Sequence, residues 1–337
     1  MKPRVLKIDP RHIDPELIEQ AAGTIRNRGL VAFPTETVYG LGADALDPKA
    51  VTGVFEAKKR PLDDPLIVHI ADPEDLRRLA ENVPPEAEKL VNYFWPGPLT
   101  VVLKKTDLVP DLVATGLETV AIRMPSNMIA QKFIAASGVP IAAPSANMFG
   151  RPSPTTAQHV IEDLDGRIDV ILDGGSTEIG IESTVVEFID GQVVVLRPGG
   201  IDIEQLHVIA GDVEISFGSG HSGKSPGEYP RHYSPGARVI LVENNPSQAE
   251  KTLSVALNAK SSGQKIGVMA KQEHADIYGK FDVKVLGPEN NGKICASRLF
   301  HILREFDAEN VDVIVAECIP ETGLGLAVMN RLRKAAG

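Results

Sequence analysis

Between Phe217 and Gly236 the chain reads FGSGHSGKSPGEYPRHYSPG, a run dense in Gly, Ser and Pro and almost empty of aliphatic residues. Such a segment carries too little apolar surface to enter a core, and its prolines and glycines oppose any regular element. It therefore divides the chain, and what folds on either side has to bury its own apolar surface. For 337 residues the expectation is a larger domain at residues 1–210, a linker at 211–237 and a smaller domain at 238–337.

On both sides of the linker, helical and strand periods alternate. Pro15 to Arg28 reads as a helix with Asp14 as its N-cap, Pro15 at its first position and Gly29 just past its end. Further helices are expected at Pro48 to Lys59, opened by Asp47, at Pro84 to Phe94 and at Asn127 to Ser137. Leu30 to Phe33 is an apolar run stopped by Pro34, hence a buried strand. Leu66 to Ile70, Leu99 to Leu103, Val120 to Arg123, Val139 to Ala143, Val170 to Leu172, Ser183 to Phe188 and Val193 to Leu196 read likewise. Asp190-Gly191 between the last two is a hairpin signal, which an all-parallel sheet would lack. The fold class is thus α/β, with a twisted sheet of mixed direction. After the linker, Arg238 to Val242, Lys265 to Met269, Val283 to Leu286 and Val311 to Val315 alternate with helical stretches as a smaller Rossmann-like α/β domain would.

Composition narrows the function classes. Thirty-five Lys and Arg against 45 Asp and Glu leave a net charge of −10, a poor balance for nonspecific nucleic-acid binding, which needs clustered positive charge. The two cysteines, Cys295 and Cys318, fit neither a metal spacing nor a disulfide framework and read as reduced, buried thiols. No apolar run approaches the ~20 residues of a membrane span, and the N-terminus lacks a signal-peptide core, so a cytoplasmic protein is expected.

The linker contains two nucleotide-loop patterns. Gly218 to Ser225 matches G-x-x-x-x-G-K-[ST], and Gly218, Gly220 and Gly223 match G-x-G-x-x-G. Both depend on a helix leaving the loop, because its free N-terminal amides hold the phosphates. Pro226, Gly227 and Pro230 follow at once, so a helix is not expected there and the patterns read as linker.

Chemistry concentrates instead in PTETVYGLG (Pro34 to Gly42), KKRP with DDPLIVHI (Lys58 to Ile70), WPGPLT (Trp95 to Thr100), AIRMP (Ala121 to Pro125), APSANMFGRPSP (Ala143 to Pro154), IESTVVEF (Ile181 to Phe188) and LRPGG (Leu196 to Gly200). Each follows or interrupts a strand, where α/β sheets build ligand crevices. They supply the cations Lys58, Arg60, Arg123 and Arg197 and the neutral groups Thr35, Thr37, Ser145, Asn147, Ser153, Ser183 and Thr184. No Ser-His-Asp order, metal-type cluster or conspicuous carboxylate pair accompanies them. Cations and hydroxyls without a nucleophile suit a polyanionic substrate whose reaction needs alignment and charge neutralisation. Taken singly, an Arg after a strand is more often a surface ion pair, and His69 in an apolar strand is as readily a satisfied core histidine.

PTETVYGLG, the K-x-R of Lys58 to Arg60, PSAN, the S-T of IEST and LRPGG resemble, in order, the signature of the YrdC-like domain over roughly the first 205 residues. The linker and the ending GLGLAVMNRLRKAAG resemble the long members of the threonylcarbamoyl-adenylate synthase family. That likeness implies a reaction in which L-threonine, bicarbonate and ATP give threonylcarbamoyl-adenylate and pyrophosphate. A separate complex would then pass the threonylcarbamoyl group to an adenosine beside the tRNA anticodon. It also implies site residues. Lys58, Arg60, Asp64, Thr119, Ser145, Asn147, Ser153 and Arg197 would face ATP, with Lys58 and Arg60 as the catalytic cations. Thr37, His69, Arg123, Ala143, Ser183 and Thr184 would frame threonine, with Arg123 on its carboxylate and Thr35 and Tyr39 shaping the pocket. Arg231 and His232 would reach the nucleotide from a linker acting as a lid, although Glu228, Tyr229 and Pro230 depart from the pattern of relatives there. Mg²⁺ is expected with the triphosphate, its protein ligands unknown.

Two other readings remain at this point. One is an RNA-binding module without catalysis. The other is a carbamoyl-adenylate-forming enzyme like the hydrogenase-maturation carbamoyltransferases, whose zinc-finger cysteines have no counterpart here.

Overall fold

The computed structural model describes residues 2–216, 223–227, 229 and 231–337. Its described residues fall into two compact units, Met1–Phe149, Ser153–Glu178 and Glu182–Glu228 in the first, Gly150–Pro152, Ile179–Ile181 and Tyr229–Gly337 in the second. No helix among the described residues is long and apolar enough to cross a membrane.

In the first unit the strands are β1 (Arg4–Lys7), β2 (Val31–Pro34), β3 (Tyr39–Asp44), β4 (Ile67–His69), β5 (Leu99–Lys104), β6 (Thr119–Arg123), β7 (Ile141–Ala142), β8 (Val170–Asp173), β9 (Thr184–Ile189), β10 (Gln192–Arg197) and β11 (Val213–Ile215). They form one sheet in the order β1-β8-β2-β3-β7-β4-β6-β5-β9-β10-β11. Its direction is mixed, as the sequence predicts: β4 and β6 are parallel, while β5 with β6 and β9 with β10 are antiparallel. The β9–β10 hairpin turns through Asp190 and Gly191 at φ 50° and 79°, the left-handed pair that a two-residue turn between right-twisted strands requires.

Period-two alternation divides the apolar residues between the two sheet faces. Val31 and Phe33 pack with Ile18, Ala21 and Ile25 of helix Pro15–Arg26 and with Phe133 of helix Met128–Ser137. Ala32, Leu41 and Ala43 face the other way, into a core with Val51 and Val54 of helix Pro48–Lys58 and Leu90 of helix Pro85–Phe94. The expected caps are made: Asp14 accepts from the Glu16 N–H and Asp47 from the Lys49 N–H, each at 2.9 Å. The first helix is shorter than expected, because Asn27 closes it and Arg28 turns left-handed at φ 65°.

The PTETVYGLG segment differs from its reading as a strand-end loop. Only Thr35 to Val38 is a turn; Tyr39–Asp44 is β3, antiparallel to β2. Its glycines are there for packing: a Cβ on Gly42 would lie 2.6 Å from the Ile141 side chain and 2.9 Å from the Phe33 ring. Strands β1 and β11 also escaped the sequence reading, and β11 falls inside the expected linker.

The second unit is a parallel sheet of β12 (Arg238–Val242), β13 (Ile266–Lys271), β14 (Asp282–Gly287) and β15 (Val313–Glu317), in the order β12-β15-β13-β14. Cys295 and Cys318 are buried and free, and burial pushes their thiols up to about 11 and about 12, so both stay protonated. Buried Glu317 at the end of β15 is satisfied by the Tyr278 hydroxyl at 2.6 Å and the Lys271 N–H at 2.8 Å, with the His274 ring at 2.7 Å.

Candidate active site

Four cations are gathered inside the first unit, and all are buried: Lys58 is 1%, Arg60 8%, Arg123 4% and Arg197 5% exposed. Unpaired charges at such depth are prohibitively costly, so each has to be met by acceptors. Lys58 ends its helix and Lys59 turns left-handed at φ 53°. That one reversal sends Lys59 to solvent and keeps Lys58 and Arg60 inside, which is the physical content of the K-x-R spacing. The Lys58 Nζ donates to the carbonyls of Ser145 and Asn147, the latter at 2.6 Å. Arg60 donates from Nε to the Asp64 carbonyl at 3.0 Å and from Nη2 to the Pro65 carbonyl at 2.8 Å, and pairs with the Asp64 carboxylate at 2.9 Å.

Arg123 closes β6. Its Nη1 donates to Thr37 Oγ1 at 2.9 Å and its Nη2 lies 2.7 Å from Glu36 Oε1. Thr37 and Thr35 share a hydrogen bond at 2.8 Å, and the Thr35 hydroxyl also donates to the Val38 carbonyl, so the turn presenting Glu36 and Thr37 is held from within. Beside Arg123 in register stand Thr100 on β5 and His69 on β4. Burial, and secondly the Arg123 charge, bring the His69 pKa down to about 3, so the ring is neutral near pH 7. Thr100 shares a 2.7 Å hydrogen bond with Ser183. Arg197 at the end of β10 donates from Nη2 to the Ser183 carbonyl at 3.0 Å and from Nη1 to the Pro226 carbonyl at 3.0 Å. The next linker residue, Gly227, donates its N–H to Asp64 at 3.2 Å. Hydrogen bonds and the Pro226-Gly227 backbone therefore link Thr100, Ser183, Arg197 and Asp64 to Arg60, while Glu36, Arg123 and Thr37 form a second cluster whose Arg123 stands beside Thr100 in register.

The other expected residues fall around it. The Ser145 loop is tied to β3 and β4, since Ala146 donates to the Tyr39 carbonyl at 2.8 Å and Ala143 to the Ile67 carbonyl at 2.9 Å. The Asn147 amide donates to the Met148 carbonyl, and Ser153 donates to the carboxylate of Glu182 beside Ser183. The Tyr39 hydroxyl donates to the Gly175 carbonyl at 2.6 Å; burial raises its pKa and keeps it protonated. Thr119 stands at the opposite end of β6 from Arg123, four residues or about 13 Å away. Extending the Ile67–Ala121 register brings it opposite Pro65, next to Arg60 rather than Arg123. Thr184 has a different job from the expected one. Its hydroxyl donates to the Ile201 carbonyl at 2.6 Å and accepts from the Ile201 N–H at 3.0 Å, so it braces β9 and has no donor left for a ligand.

Arg231 and His232 belong to the second unit. Arg231 is exposed, whereas His232 is buried, donates its backbone N–H to the Lys334 carbonyl at 3.1 Å and packs its ring on Tyr233. The Gly218 and Gly220 patterns, like Glu228 and Pro230, lie outside the described residues; Lys224 to Gly227 form bends and a turn, with no helix leaving Ser225. Lys224 pairs with Glu187 of β9. Sequence reasoning missed Glu36, Thr100 and Glu182. All three sit inside quoted motifs, but nothing in a linear string marks one acidic residue among 45 as buried.

Fold and site together define a YrdC-like protein: a mixed sheet whose strand ends converge buried cations and hydroxyls, followed by a separate parallel-sheet unit. Comparisons bear this out. Residues 23–199 match the Sua5, YciO and YrdC family model described as telomere recombination, and residues 201–337 match the threonylcarbamoyl-AMP synthase C-terminal domain. A Pyrococcus abyssi threonylcarbamoyl-AMP synthase is 50% identical, covering 95% of this chain and 94% of its own. One from Bacillus subtilis is 47% identical over 96% and 94%. The crystal structure of Pyrococcus abyssi Sua5 complexed with L-threonine superposes with a TM-score of 0.93 at 48% identity, covering 99% of this chain and 97% of that one. The chain belongs to the threonylcarbamoyl-AMP synthase family of enzymes.

Proposed function

We propose that this chain joins L-threonine, bicarbonate and ATP into threonylcarbamoyl-AMP and pyrophosphate, and that a tRNA-modifying transfer complex consumes the product. The observation that carries the reading is a pair of buried cation sites in one unit, Arg123 with Thr37 and Arg60 with Asp64. Condensing an amino acid with a nucleotide needs two such sites held at a constant spacing. The Pyrococcus abyssi relative was solved with L-threonine, which supports the same substrate here.

In this reading Arg123 takes the threonine carboxylate, with Thr37, His69, Ala143 and Ser183 around the side chain. Threonine amine and bicarbonate form a carbamate and release water. A carbamate oxygen then attacks the α-phosphorus of ATP, and pyrophosphate leaves. Lys58, Arg60 and Arg197 neutralise the charge that accumulates, with Ser145, Asn147 and Ser153 fixing the phosphates and Thr119 near the nucleotide. Buried cations act more strongly than exposed ones because solvent does not screen them. Among the described residues no group of three or more His, Cys, Asp or Glu fits a metal, and Asp64 is engaged by Arg60 and Gly227. No step is assigned to Mg²⁺.

The test is pyrophosphate release from ATP and bicarbonate with each common amino acid in turn. Release that depends on L-threonine and collapses in Arg60→Ala supports the assignment. A folded protein that binds ATP yet releases nothing with threonine refutes it and favours RNA binding instead.

A further inference from the structure

We propose that Glu36 receives the α-ammonium group of the amino-acid substrate and accepts its proton, so that Arg123 and Glu36 together form a clamp for a zwitterion. The inference rests on the threonine reading above and adds a residue and a role to it.

Glu36 is 4% exposed, and its Oε1 lies 2.7 Å from Arg123 Nη2. Yet the two are not aligned as a hydrogen bond: Glu36 Oε1 and Oε2 and Arg123 Nη2 all lack a hydrogen-bond partner. A buried ion pair built for structure normally recovers its desolvation cost through aligned hydrogen bonds. This one leaves three charged atoms unsatisfied, which native structures rarely do without a functional reason. The rest of the Arg123 fork is occupied, Nη1 by Thr37 Oγ1 and Nε by the Gly97 carbonyl at 3.4 Å. The ligand-facing capacity of the pair is thus one cationic donor beside one anionic acceptor.

An α-amino acid presents the complementary pattern. Its nitrogen is one C–N and one C–C bond from the carboxyl carbon, about 2.5 Å away through space. A carboxylate docked on Arg123 therefore brings its ammonium within reach of Glu36, and each charge of the zwitterion meets its opposite. Arg123 from β6 faces Glu36, with His69 from β4 beside Arg123 in register; the Glu36 turn adds Thr35 and Thr37, and Gly97 adds a carbonyl on Arg123. Neutral His69 carries no negative charge to pair with an ammonium, and Glu182 already accepts from Ser153. Glu36 is left as the base. The steps balance: the ammonium passes one proton to the Glu36 carboxylate, giving a free amine and a carboxylic acid. The amine nitrogen then bonds to the bicarbonate carbon, and water departs.

Calorimetric titration of the full chain compares L-threonine with 2,3-dihydroxybutanoate, in which a hydroxyl replaces the amine. Glu36→Gln is expected to weaken threonine about tenfold or more, roughly 1.4 kcal/mol, while the hydroxy acid binds within about twofold of wild type. Equal loss on both ligands makes Glu36 only a support for Arg123 and overturns the proposal, as does no loss on threonine. Glu36→Asp, which keeps the charge, is expected to retain the preference for the amine, and its loss there also counts against the clamp. In pyrophosphate release, the Glu36→Gln rate is expected to climb toward wild type as pH passes the amine's own pKa; a constant ratio across pH sinks the proton-acceptor role. If wild type itself ignores threonine, the threonine reading fails and this proposal with it. If wild type turns over and Glu36→Gln matches it, only the role of Glu36 falls.

Discussion

Replacing Arg60 by Lys keeps the charge and removes the fork, which separates what the site owes to geometry from what it owes to electrostatics. Arg60 donates from Nε and Nη2 to the Asp64 and Pro65 carbonyls and lies 2.9 Å from the Asp64 carboxylate as an ion pair. Its side chain is 4% exposed and that of Asp64 1%, so solvent offers little compensation. A lysine brings its donors to one point and reaches about one of these acceptors. The gross loss is two charge-assisted interactions of about 1.5–3 kcal/mol each, and relaxation of the Lys59–Pro65 turn recovers part of it. A net destabilisation of about 2–4 kcal/mol is expected. The assay is urea unfolding followed by fluorescence, because the single tryptophan, Trp95, lies in the first unit and is partly buried. ATP affinity, measured on the folded variant, is expected to fall about tenfold or more as the proposed phosphate site loses its fixed, planar guanidinium donor. A variant within about 0.5 kcal/mol of wild type with unchanged ATP affinity would refute both the energetic reasoning and the nucleotide role of Arg60.

Thr184→Val removes the paired bonds to Ile201 and is expected to cost about 1–3 kcal/mol in the same unfolding assay; a specific loss of threonine affinity would restore Thr184 to the binding site. His69 has its pKa held near 3 in the fold against an ordinary 6.5, so between those values the unfolded chain binds the extra proton. Its stability contribution is complete above about pH 6.5 and declines as pH falls toward about 3, by at most about 1.4 kcal/mol per pH unit. His69→Gln should flatten the slope between about pH 5 and 6.5, above the ordinary carboxylate range, and an unchanged slope would contradict the burial argument. Lys224→Ala removes a partly exposed pair with Glu187, so stability should change by no more than about 1 kcal/mol and ATP affinity not at all; a large loss of ATP binding would revive the phosphate-loop reading.

The linear string carried the features whose causes are local. Asp14 and Asp47 cap helices because their side chains reach amides two residues on, and Asp190-Gly191 makes a hairpin because that pair tolerates positive φ. Alternating periods specified an α/β fold, and Asp190-Gly191 required a sheet of mixed direction. The prolines after Lys224-Ser225 oppose a helix leaving the phosphate-loop pattern, again a local cause. The family likeness named most of the residues of the proposed site, because its motifs are contiguous words.

Tertiary structure decided what depends on partners distant in sequence. Gly40 and Gly42 read as a loop until Phe33 and Ile141 are seen to need the space of their missing side chains. Thr184 looked like a ligand residue until Ile201, seventeen positions on, took the one donor of its hydroxyl and filled one of its acceptor positions. Glu36 is one acidic residue among 45, and only burial beside Arg123, 87 positions away, distinguishes it. The physical reason is the same in each case. Capping and turn energies are set within a few residues, whereas desolvation and the pairing of buried charges depend on what the fold brings alongside.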